Sequence, residues 1–153
     1  MATIQEQLKG SVDALLKLEP SELTVELGRR LEATKEEVER GQELRVASLL
    51  AIPPDSTQLA AAPVWLKDLG ENFLKKLNHQ FYSLFCNKQD PDYPKIDLAL
   101  GDGIEKVALV LAGVLVTTFG LLPGIATAVA VIVAKRVINA GRDALCATWK
   151  DTA

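Results

Sequence analysis

From Val107 to Ala134 the chain runs for 28 residues without a charged side chain. No other stretch constrains the fold as much. Backbone placed in such surroundings must satisfy its own hydrogen bonds, which favours helix. A single helix through the whole stretch is opposed by Gly113, Gly120, Pro123 and Gly124, which concentrate turn-forming residues near its middle. Each half, at about 14 residues, would be roughly 20 Å long, short of the ~30 Å hydrocarbon core of a bilayer. The expected structure is therefore a helical hairpin, with one arm over 104–119 and the other over 123–149. Val, Ile and Thr are frequent between Val107 and Val133, and 126–133 partly alternates, which is the strand alternative. Helix is preferred because the apolar runs exceed ordinary buried strands and no hairpin turn pairs them.

Upstream, apolar residues recur at helical spacing in three further places. Ile4, Leu8, Val12, Leu15 and Leu16 predict a helix over 3–18, with Thr3 and Glu6 in a capping-box arrangement. A second helix is expected from Ser21, after the break at Glu19-Pro20. There Leu23, Leu27, Leu31 and Val38 form a narrow stripe flanked by both charge signs, including the i,i+4 pairs Glu26–Arg30 and Glu36–Arg40. Such a stripe is the pattern of a partner seam. The third helix, over 63–85, carries Trp65, Phe73, Phe81, Tyr82 and Phe85 and is expected to cover the hairpin. Residues 53–63, opening Pro-Pro-Asp-Ser-Thr, read as a linker, and 87–94 and 101–103 as breaks. The expected fold is all-α: a bundle of about five helices with a C-terminal apolar hairpin. Its parts are an N-terminal helical arm, 1–52, lying outside or reaching to a partner, and a helical core, 64–153, with a single domain over both as the alternative.

Charge narrows the function. Residues 1–106 hold 13 Lys and Arg against 18 Asp and Glu, whereas 107–153 hold 4 against 2. The total, −3, with no basic stripe, excludes the usual nucleic-acid binder. Two cysteines, Cys86 and Cys146, sit far apart and outside any metal-ligand spacing. They read as small buried hydrophobes in a reducing compartment. The opening Met-Ala-Thr-Ile-Gln-Glu has neither the basic nor the apolar region of a secretion signal, so a cytoplasmic location is expected.

No constellation of catalytic residues emerges. His79 and Cys86 lie seven residues apart and can share a helix face, but nothing orients the histidine. Asp90, Asp92 and Asp97 are interrupted by Pro91 and Pro94, unlike a calcium loop. Gly101-Asp102-Gly103 lacks the lysine of a phosphate loop. The expectation is a small intracellular interaction or regulatory module without catalysis, cofactor or metal. Its partner would be another protein or a second copy, bound through Leu23, Leu27, Leu31 and Val38. The alternative is a membrane-active protein that inserts 107–134, with proteolytic cleavage near 87–103 as the release step.

Overall fold

The computed structural model describes residues 4–39 and 64–152, with side chains described over 8–33 and 64–150. The expected linker 53–63, the Glu36–Arg40 pair, the capping pair Thr3/Glu6 and the Val38 side chain lie outside the described residues. Among the described residues there are eight helices and no strand. They are α1 Ile4–Leu15, α2 Pro20–Glu39, α3 Val64–Lys76, α4 Asn78–Cys86, α5 Tyr93–Asp102, α6 Ile104–Thr117, α7 Pro123–Ala140 and α8 Arg142–Thr152. The protein is all-α, and the strand alternative for 107–133 is excluded.

The hairpin is α6 and α7. Its turn uses Gly120 at φ 68°, a left-handed conformation that costs glycine nothing. Pro123 opens α7, where its missing N–H is no loss and its fixed φ already suits a helix. Helix α7 is the axis of the fold. Every residue from Pro123 to Ala134 is buried, with Val137 beyond them. Helices α1, α2, α6 and α8 all pack against it, and α5 packs against α6.

The covering helices differ from expectation in four ways. First, α2 is not an outlying arm. It packs against α7 and α3, and Leu23 and Leu27 are fully buried. Second, the 63–85 helix divides at Leu77. Its first half packs on α2, while its second half carries Phe81 and Phe85 onto Trp149 of α8, at ring distances of 5.7 and 5.6 Å. Third, α5 fills the stretch between the breaks at 87–94 and 101–103, to which the sequence assigned no element. Ten residues make a marginal helix alone, and α5 is held by burying Ile96 and Ala99 against the hairpin. Fourth, the last arm stops at Gly141, whose φ of 90° turns the chain so that α8 folds back instead of continuing α7. Pro20 proves to be the first residue of α2, capped by Glu22, whose carboxylate accepts the Glu19 N–H at 2.9 Å.

The cysteines are also corrected. Cys86 at the end of α4 and Cys146 in α8 form a disulfide across a separation of 60 residues, with Cα atoms 5.9 Å apart. Closing a loop of that length removes unfolded-state entropy, which stabilises the fold by about 3–4 kcal/mol. Replacing both cysteines with alanine is therefore expected to lower the melting temperature by roughly 6–16 °C. Calorimetry of the double variant beside the parent checks this. Coincident transitions would mean that the bond does not form.

Candidate functional site: a covered apolar hairpin

Two features set α6–α7 apart from an ordinary core. The first is hydrogen bonding. Between Val107 and Ala134 the polar side chains are Thr117, Thr118 and Thr127. The Thr127 hydroxyl, fully buried, donates to the Pro123 carbonyl in its own helix. The Thr117 hydroxyl donates to the Gly113 carbonyl at 2.8 Å, also within its helix. Only Thr118, at the tip, reaches outside, to Asp92 Oδ2 at 3.3 Å. The hairpin's one buried hydroxyl thus asks its surroundings for no hydrogen bond.

The second feature is the tip. Residues 117–122, Thr-Thr-Phe-Gly-Leu-Leu, connect the two arms at the surface without a charge. Phe119 is 37% exposed. Surface connections are ordinarily polar, because their backbone and side chains meet water.

The cover is fastened to α7 at both ends. Arg30 on α2 donates from Nη1 to the Gly124 carbonyl at 2.7 Å. Glu26, fully buried, balances it, accepting from Arg30 Nε at 2.7 Å and from Arg29 Nε and Nη2 at 2.9 Å each. The hydrogen bond to Glu26 pushes the Arg29 guanidinium further up from its usual range. The sequence presents Glu26 and Arg30 as an i,i+4 pair flanking the apolar stripe, and in the fold their side chains are only 0 and 4% exposed. A buried pair of this kind is costly to break on one side, because the remaining charge has no compensation. At the other end Lys135 Nζ donates to the Leu18 carbonyl at 2.5 Å, tying α7 to the turn between α1 and α2.

The expected partner seam is turned inward. Leu23 and Leu27 lie in the protein's own core, and Leu31 packs half-buried against it. The residues tested for chemistry are otherwise engaged. Cys86 is in the disulfide, so it forms no dyad with the exposed His79. Asp90 accepts from Ser83 Oγ at 2.5 Å and from the Asp92 N–H at 2.8 Å. Asp92 sits 3.6 Å from Lys95, and Asp97 accepts from Arg142 Nη1 at 2.7 Å. Among the described residues no three His, Cys, Asp or Glu side chains gather as metal ligands would. What sequence reading missed are Arg30, Lys135 and the disulfide, all of which act over long range.

The fold and site define a helical bundle built around a self-satisfied apolar hairpin. Compared with known protein families, with curated proteins and with solved structures, the chain matches none.

Proposed function

We propose that this protein is a non-catalytic helical module that keeps an apolar hairpin under cover and delivers it to a lipid bilayer when the cover opens. The observation that carries the reading is the hairpin's independence. Its one buried hydroxyl, Thr127, is satisfied within its own helix, and its exposed tip is uncharged. Length and hydropathy alone would not distinguish it, since the central helix of any soluble bundle shares them. Helix α7 has 18 residues and a mean hydropathy of 1.4. As a helix it is about 27 Å long, close to a hydrocarbon core, and small mismatches are met by local thinning. Lys135 and Arg136 near its end can extend to the headgroups. The net-basic 107–153 region favours anionic lipid.

The disulfide bears on location and release. It supports work where thiols are not kept reduced, in place of the cytoplasmic expectation. Proteolysis near 87–103 would not by itself free the hairpin, because Cys86 stays bonded to Cys146. Opening therefore calls for reduction of that bond or for loosening of the cover.

A second reading, a regulatory module that docks another protein, is favoured by Val64 and Trp65 at the start of α3, which are 75 and 51% exposed.

Flotation with anionic vesicles tests the first reading. Reduced wild-type protein is expected to rise with the vesicles. Phe119→Glu, which alters a surface position, should melt like the wild type yet stay behind, because entry would carry a charge at the leading tip into apolar lipid. If the two proteins distribute alike, the bilayer reading fails and protein docking becomes the better account.

A further inference from the structure

Where the start of α2 meets the end of α7 and α8, the packing leaves a cavity of ≈ 230 Å³. Its floor is apolar, built by Leu23, Ile132 and Leu145, of which Leu23 and Ile132 are buried. Lys135, Arg136 and Asn139 line it as well, the last two solvent-exposed at its mouth. An apolar cavity with a few convergent polar groups is the usual form of a small-molecule site. Here the lining is almost wholly apolar, with Lys135, Arg136 and Asn139 contributing mainly their carbon stems, so a head group held beside them at the cavity's edge meets two cations and a carboxamide and is anionic.

We infer that this cavity binds a single-chain carboxylate of medium length, its alkyl chain on Leu23, Ile132 and Leu145 and its carboxylate at Arg136 and Lys135. An ammonium carries three donors, and Lys135 commits one of them to the Leu18 carbonyl. Guanidinium geometry suits a carboxylate in two-point contact. Partial burial pushes the Arg136 guanidinium down, against the opposing influence of Glu71. The alkyl chain would bridge three helices, α2, α7 and α8, so the ligand would bind the closed protein and stabilise it by mass action. Binding at this cavity does not depend on the bilayer reading and is measured without lipid.

Octanoate, below its micellar range, is the probe, titrated calorimetrically into the full oxidised chain. Saturable one-to-one binding is expected, with a rise in melting temperature. Arg136→Gln should weaken binding about tenfold without moving the melting temperature of the free protein, in line with the strength of a charged hydrogen bond. Leu145→Trp should fill the cavity and abolish binding. Octanol and octyltrimethylammonium should bind at least tenfold more weakly than octanoate. No saturable binding, equal binding of the three amphiphiles, or an unchanged affinity in Arg136→Gln would each overturn the inference.

Discussion

Leu111→Asp is expected to unfold the protein at room temperature. Leu111 lies in α6 with no exposed surface and belongs to the protein's hydrophobic core. An aspartate there must either bury an unpaired charge or take up a proton and remain a buried, unsatisfied acid, and both are expensive. Among single substitutions this mechanism belongs to the rare class above about 4–5 kcal/mol, against a total stability of about 5–15 kcal/mol. Ile132→Asp in α7, where the native side chain is 3% exposed, should behave the same way. Leu98→Asp is the control, because Leu98 is 74% exposed on α5 and its replacement should stay within about 0.5 kcal/mol of the parent. Circular dichroism melts of the three variants decide the matter. A cooperative transition near the wild-type midpoint for Leu111→Asp would show that α6–α7 is not the core of the folded protein.

The second large effect comes from a single methyl group. Helices α2 and α3 cross with their backbones in contact, at Gly28 and Gly70. A Cβ on Gly28 would lie 1.8 Å from the Leu66 carbonyl oxygen, and one on Gly70 would lie 2.3 Å from that of Thr24. Both obstacles are backbone, so no side-chain rotation relieves them. Alanine is the better helix former by about 1 kcal/mol, so propensity alone predicts that Gly28→Ala stabilises α2. The clash outweighs it, because the helices must separate along their whole shared face. A net loss of roughly 2–4 kcal/mol is expected. Gly10→Ala gives the opposite sign, since Gly10 is exposed in α1 and a Cβ there meets nothing within 4 Å. It should stabilise by about 0.5–1 kcal/mol. Chemical denaturation of both variants reads the two signs. If Gly28→Ala also stabilises, α2 and α3 do not cross this closely.

Gly28 and Gly70 also show where reading the chain stops. Neither differs in its local sequence from a glycine that merely weakens a helix, and only the approach of the other backbone gives each its role. The same holds for Glu26 and Arg30. Their spacing makes them a pair in any helix, but whether that pair faces water depends on where α7 lies, since the Arg30 guanidinium completes its bonding at Gly124, 94 residues away. Leu23, Leu27 and Leu31 form a stripe too narrow for a typical core-facing helix by count. The stripe suffices here because α3, close enough to require the two glycines, covers a second face of α2.

What the sequence by itself determined is what acts locally or within one segment. Helical periodicity, the charge-free run from Val107 to Ala134 and the cluster from Gly120 to Gly124 together require two apolar helices joined by a turn. Hydrogen bonds close over four residues in a helix, so neighbouring side chains carry enough information to place them. The tertiary structure alone decided which helices cover that hairpin, that Cys86 meets Cys146, and that Lys135 anchors the turn after α1. These depend on the packing of surfaces distant in the chain. Shape and burial select among many arrangements that the same apolar pattern allows, and no short stretch of sequence encodes that choice.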